Sequence, residues 1–375
     1  MKKVVIAIDS FKGCLPSVEA GNAAAEGIRS VYPECEVICL PIADGGEGML
    51  DVLIMATNGQ EVPISAHNPL MRWRNTYYGI SENGETAFIE MASISGLPLV
   101  PPERRNPMLT TTYGTGEIIR DALERGCRNF IIGIGGSATN DAGLGMLQAL
   151  GFRFSDKEGK EVGTGRGEVL IKVAYIDSTF VHPALNSCRF TVACDVQNPF
   201  YGPEGAAYVF APQKGADREM VEALDAGLQN FAEVIRHTTG KDISHHPGAG
   251  AAGGMGGSLL AFLNAELKPG IQLMLEALDF SNKIKSADLI ITGEGKADRQ
   301  TLMGKVPSGI LAEARKQNIP VILLAGNIED SDELQQAGFE GVFSVNPPFI
   351  SLEEAMRPEV ARKNIQQTVE SICKK

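Results

Sequence analysis

Cysteine, histidine and positive charge are all scarce in this chain, and each scarcity removes a class of function. The seven cysteines, Cys14, Cys35, Cys39, Cys127, Cys188, Cys194 and Cys373, are odd in number, scattered and free of any C-x-x-C pair, so they read as reduced thiols rather than a disulfide or zinc framework. Only His245 and His246 of the five histidines lie close together, without zinc-ligand spacing; a solvated loop is the reading for both. Thirty-four Lys and Arg against 46 Asp and Glu leave a formal net charge of −12, which gives no general attraction to nucleic acid or to an anionic membrane. Long apolar runs are missing as well. After Met1-Lys2-Lys3 the run over residues 4–8 stops at Asp9, too short for a signal-peptide core or a membrane span. A cytoplasmic protein acting on small molecules is expected, with no nucleic-acid or membrane partner; self-association into a homo-oligomer is compatible with the sequence.

What is present is glycine and a βα grammar. At 375 residues with 42 glycines the chain exceeds the roughly 250–300 residues at which single cores stop growing, so about two domains are expected. KKVVIAIDS reads as a buried parallel strand, residues 17–31 as an alanine-rich helix, and EVICLPIADGG as a second strand ending in an acidic glycine turn. The C-terminal part repeats the alternation with ADLIITGEG, VPSGILAEARKQN, PVILLAGN and GVFSVNPP, the sign of a mostly parallel, helix-covered sheet. Between them, RWRNTYYGIS and ETAFIEMAS flank Asn83-Gly84, a hairpin turn that brings in antiparallel pairing, with Trp73, Tyr77 and Tyr78 as hairpin packing. The strand RFTVACDV and an amphipathic helix from 218 to about 236 follow. The expected class is therefore α/β with two domains: residues 1–65 plus 285–375 as one discontinuous Rossmann-like domain and 66–284 as an inserted, mixed-sheet α/β domain. A plain two-segment split is the alternative.

Five glycine-rich loops contain or adjoin carboxylates: ADGGEG (43–48), GIGGSATNDAG (133–143), ACDVQNPFYGPEGA (193–206), PGAGAAGGMGG (247–257) and TGEGKADRQT (292–301). Glycine lets a backbone approach phosphate oxygens, and carboxylates beside such loops call for a bridging cation such as Mg²⁺. Phosphoryl transfer also needs cations on the transferring group and an acceptor for the hydroxyl proton. Asp44, Glu47, Asp195, Glu294 and Asp298 supply the acids, and Lys12, Lys214 and Lys296 the cations. No Walker A, HRD, DFG, G-x-S-x-G or H-E-x-x-H signature occurs, so a kinase here belongs to another family and hydrolase readings fare worse. Plainer roles stand beside these. Gly253 and Gly254 could serve close packing, Asp141 could cap a helix over 142–150, Asp9 could form a turn and Lys214 could be solvated. Gly133, Gly135 and Ala138 also satisfy the relaxed dinucleotide fingerprint, with Asp156 about 20 residues on as ribose partner, which makes an NAD(P)-dependent oxidoreductase the alternative.

Taken in order, IAIDSFKG, PIADGGEG, FIEMASISGL, TTYGTGEII, IIGIGGSATNDAGLGMLQALG, ACDVQNPFYGPEGA, FAPQKGA, PGAGAAGGMGG and ITGEGKADRQTLMGKVP resemble a bacterial glycerate kinase of glyoxylate and sugar-diacid catabolism, through essentially the whole chain. Ile8, Cys14 and Ala142 depart from residues common at those places in the family. The resemblance implies ATP-dependent phosphorylation of D-glycerate with Mg²⁺, to 2-phosphoglycerate or, by another labelling, 3-phosphoglycerate. It further implies a three-layer domain from both chain ends, an inserted α/β domain and an active site in the cleft between them. On that footing Asp195 is the expected general base, and Lys12 and Lys214 neutralise phosphate or carboxylate oxygens. Asp44, Glu294 and Asp298 hold Mg²⁺. Asp9, Ser10, Gly135, Gly136, Ser137, Thr139, Asn140, Asp141, Gly253 and Gly254 line the substrate or nucleotide.

Overall fold

The computed structural model describes residues 1–43 and 48–374. Among these, the strands are β1 Lys3–Ile8, β2 Glu36–Cys39, β3 Gln60–His67, β4 Trp73–Ile80, β5 Thr86–Glu90, β6 Asn129–Gly133, β7 Arg153–Ser155, β8 Tyr175–Asp177, β9 Arg189–Ala193, β10 Glu266–Lys268, β11 Leu289–Ala297, β12 Val321–Ile328 and β13 Gly341–Ser344. They fall into two compact units, Met1–Asp44 with Ile271–Lys375, and Gly45–Gly270.

In the first unit five strands form one sheet in the order β13-β12-β11-β1-β2, with every pairing parallel. Val4, Val5, Ile6, Ala7 and Ile8 are buried, as a continuous apolar run in a sheet covered on both faces requires. The helices Ser17–Val31 and Pro358–Cys373 pack through Ala20, Ala24, Ile28, Ile365 and Val369. A Cβ at Gly27 would sit 2.6 Å from the Gln366 carbonyl oxygen, so glycine sets how closely these helices approach. The chain leaves β1 toward β2 on one side and β11 toward β12 on the other. The carboxyl ends of β1 and β11 therefore frame a topological switch point, where open α/β sheets bind ligands.

The second unit has a six-stranded sheet in the order β10-β9-β6-β5-β4-β3. Its β3-β4-β5 part is antiparallel and its β5-β6-β9-β10 part parallel, as the Asn83-Gly84 hairpin and the following βα alternation imply. Gly84 takes φ +75 and donates to the Ser81 carbonyl at 2.8 Å. Phe130 and Phe190 stack with ring centroids 4.7 Å apart at the centre of the core. The strand grammar put the junctions near residues 65 and 285, whereas the units divide at 44/45 and 270/271. The physical reason at the first junction is β3, paired with β4 along its whole length from Gln60–Ile80 to His67–Trp73. No helix among the described residues is long and apolar enough to cross a membrane.

Candidate active site

In the first unit the expected site residues gather at the switch point. Asp9 follows β1; it is 6% exposed, its amide donates to the Gly293 carbonyl at 2.9 Å, and its Oδ1 accepts from the Ser10 amide at 2.7 Å. The chain then turns through a Phe11–Leu15 bridge, and Lys12 stands on that turn with its amide 3.5 Å from where a Cβ on Gly295 would be. Glu294, one residue beyond the Ile8–Gly293 register pair, is 7% exposed. Its Oε1 accepts from Thr301 Oγ1 at 2.6 Å and its Oε2 lies 3.8 Å from Lys305 Nζ. Burial pushes the Glu294 carboxyl up; the Thr301 hydroxyl, Lys305 and Lys12 pull it back, while Asp298 adds to the rise. Asp298 closes a capping box with Thr301, accepts from the Gln300 amide at 2.8 Å and lies 3.6 Å from Lys296. Two oxygen-donor carboxylates on adjoining turns, one of them buried, match what Mg²⁺ takes from protein when a nucleotide supplies the remaining ligands. Asp44 and Glu47 lie outside the described residues, among which no cluster of three or more potential metal ligands occurs.

The second unit builds its candidate site from main chain and hydroxyls. β5, β6 and β9 end level with one another, Glu90 beside Gly133 beside Ala193. From the end of β6 the 134–143 loop runs out, with Gly135 and Gly136 exposed and Ser137 to Gly143 buried. The amides of Gly135, Gly136, Thr139 and Asn140 have no acceptor among the described residues. Thr139 Oγ1 and both amide atoms of the Asn140 side chain are buried and likewise unpartnered, a condition native structures tolerate at few positions.

Lys214 ends the 3₁₀ turn Pro212–Lys214 and is 2% exposed, so it is not a solvated lysine. Its Nζ reaches Ser137 Oγ at 2.7 Å and the Thr139 carbonyl at 2.6 Å. Burial lowers its pKa to about 7, against a smaller opposing effect of Asp141. Asp141 is fully buried; its Oδ2 accepts from the Thr112 amide and hydroxyl at 2.8 Å each and from the Gly145 amide at 3.2 Å, and its Oδ1 from the Gly143 amide at 3.2 Å. The carboxylate is thus taken up by protein donors and anchors the loop. The helix it was expected to cap begins later, at Leu144, because Gly143 occupies the left-handed region at φ 72.

The remaining expected residues divide by role. Asp195 is exposed two residues beyond β9, and its Oδ1 accepts from the Gly270 amide at 2.8 Å. Gly253 and Gly254 sit at φ +68 and +90, and a Cβ on Gly253 would collide with the Thr139 carbonyl. Both are close-packing positions. Sequence reading gave no individual role to Thr112, Thr110, which donates to the Ala138 carbonyl at 2.9 Å, or Ser95, 2.8 Å from Thr115 Oγ1. A threonine run before a helix was their only local signal. Glu90, whose Oε1 accepts from the Leu50 amide at 2.8 Å, was also missed.

A model of the Glycerate kinase family matches residues 4–375. The chain belongs to this family. It is 48% identical to the glycerate 2-kinase of Escherichia coli (strain K12), over 95% of this chain and 93% of that protein. With the glycerate kinase of Bacillus subtilis (strain 168) it shares 46% identity over 99% and 97%. A crystal structure from Salmonella typhimurium LT2, of a protein assigned there as glycerate kinase 2, superposes with a TM-score of 0.90 at 44% identity, covering 100% of this chain and 97% of that one. The oxidoreductase alternative read from Gly133, Gly135 and Ala138 finds no support in these relatives, and it fails locally too. A dinucleotide turn leads straight into a helix, whereas here the first helix after Gly133 starts at Leu144, and Asp156 Oδ1 caps its own turn through the amides of Glu158 and Lys160.

Proposed function

We propose that this family member transfers the γ-phosphoryl group of ATP to a hydroxyl of D-glycerate, with Mg²⁺, in the cytoplasm, and that 2-phosphoglycerate is the product. The observation that carries the reading is similarity along essentially the entire chain to proteins named for glycerate phosphorylation. Mg²⁺, when bound, would supply positive charge to offset that developing on the transferring phosphoryl group. Glu294 and Asp298, with Asp44 of the acidic glycine turn, would hold the ion, while Lys12 and the Asp9-Ser10 turn would receive phosphate oxygens. The uncharged donors of 135–140 and Lys214 Nζ take the anionic groups of a substrate. Asp141 keeps that loop in shape. Asp195 accepts the proton of the attacking hydroxyl: it stands exposed past β9, and the Gly270 amide holds one of its carboxylate oxygens, which supports a carboxylate kept in a fixed orientation for proton transfer.

Purified protein with ATP, Mg²⁺ and D-glycerate is the test. Coupling directly to enolase should report product at once, since enolase consumes the 2-phosphate. A signal that appears only after phosphoglycerate mutase is added would instead assign the 3-hydroxyl. No turnover with glycerate by either route would remove the reading, and chelation should abolish activity until Mg²⁺ is restored.

A further inference from the structure

Ser137 and Lys214, which serve only to bind substrate in glycerate phosphorylation by Asp195, form a pair of their own. The Lys214 amine is buried and 2.7 Å from the Ser137 hydroxyl. Its second contact is a carbonyl, Thr139 O at 2.6 Å, which can only accept. Nζ donates in both contacts, and once it has lost a proton it keeps a donor for the carbonyl while its lone pair is free to take the proton of the adjacent serine. Asp141 is the charged group whose field acts on this lysine, yet its carboxylate is occupied by Thr112, Gly143 and Gly145, so Lys214 is not locked in an ion pair. In the same loop the main-chain N–H groups of Gly135, Gly136, Thr139 and Asn140 have no acceptor among the described residues. The Thr139 hydroxyl and Asn140 amide are buried without partners. Nucleophile, adjacent base and unspent donors for an oxyanion are the three components of an activated-serine site.

We propose that Ser137 is a nucleophile activated by Lys214 and that it accepts the γ-phosphoryl group of ATP, making the protein phosphorylate itself at Ser137. This rests on the ATP-dependent reading above. In the step, a bond forms between Ser137 Oγ and the γ-phosphorus while the bond from that phosphorus to the β,γ-bridging oxygen breaks and ADP leaves. The hydroxyl proton passes to Lys214 Nζ and from there to solvent. Burial, which holds the lysine near pKa 7, makes the amine predominantly neutral above that pH. The self-reaction therefore accelerates as pH rises, and between pH 6 and 8 the neutral fraction grows by roughly tenfold.

The experiment incubates the full chain with ATP and Mg²⁺ without glycerate, at pH 6 and pH 8, and maps phosphate by peptide mass spectrometry. In parallel, a fluorophosphonate probe is applied without ATP, and glycerate turnover is measured on the same preparation. Phosphoserine at 137, faster at the higher pH and absent from Ser137→Ala, together with probe attachment at the same residue, is the expected result. Turnover of glycerate without phosphate at Ser137, or phosphate that persists in Ser137→Ala, overturns the inference and leaves the proposed function standing. If glycerate is not turned over at all, the proposed function is what fails; the serine is then judged by the probe, and an unlabelled Ser137 overturns its activation. Since Ser137→Ala removes a single oxygen, retained wild-type melting behaviour certifies that its results report chemistry.

Discussion

The two units build their candidate sites in opposite ways. At the switch point of the first, charged side chains restrain one another: Glu294 faces Thr301 and Lys305, and Asp298 faces Lys296. In the second, one buried lysine and one buried carboxylate stand apart, each satisfied by neutral groups, and the loop between them is fixed by hydroxyls and close-packed glycines. The contrast teaches that a site made from charged side chains can be retuned by a single exchange. A site made from main-chain amides is as rigid as its packing, and the lysine is a charge that can be adjusted within it.

Substitutions can break that contrast in order of size. Asp195→Asn should lower kcat by about 10² to 10⁴ with little change in the KM for ATP, the range for loss of a positioned base; near wild-type turnover would move the base to another carboxylate. Lys214→Met should cost about 10² to 10³ in kcat/KM for glycerate, as when one preorganised charge-stabilising donor is removed. Its stability should move the other way, because an apolar side chain of similar length carries no buried charge. The pH dependence fixes the sign. With its folded pKa lowered from 10.5 to about 7, Lys214 binds fewer protons folded than unfolded between those values, so wild-type stability gains as pH rises through this window. The melting-temperature advantage of Lys214→Met should accordingly be larger at pH 6 than at pH 9, and an advantage independent of pH would show that the lysine is not desolvated.

Asp141→Asn presents an NH₂ group to donors that now meet an oxygen, and should destabilise by about 1–3 kcal/mol, read as a lower denaturant midpoint; an unchanged midpoint would deny it the anchoring role. The smallest change is Gly136→Ala. At φ +71 a side chain costs about 1–2 kcal/mol, while its Cβ would meet Ala92 Cβ at an ordinary 3.5 Å. The fold should survive with the KM for glycerate or ATP raised. Unchanged kinetics would return this glycine to a turn-forming role.

Much of the fold was legible because its signals are local. The run over residues 4–8, the alanine-rich helix 17–31 and the Asn83-Gly84 hairpin each follow from neighbouring residues, and β1, the helix Ser17–Val31 and the β4-β5 pair answer to them. The first junction was less legible. Residues 60–67 carry no strong strand pattern, and it is pairing with β4 that assigns them to the second unit. Candidate site residues were named by type and loop, yet type could not separate roles. Asp141 and Asp195 are both acids next to glycine-rich segments, and only burial distinguishes the anchor from the exposed carboxylate.

The amino-acid sequence by itself determined the α/β class, the family and the stock of acids, lysines and glycine loops, because periodicity, turn chemistry and ordered motifs are properties of neighbours along the chain. Tertiary structure alone decided that Lys214 meets Ser137 across 77 positions, and that Thr112, 29 positions away, occupies the carboxylate of Asp141. Desolvation and hydrogen-bond satisfaction depend on what surrounds a group in space, and those surroundings exist only once the sheet and its loops have closed around it.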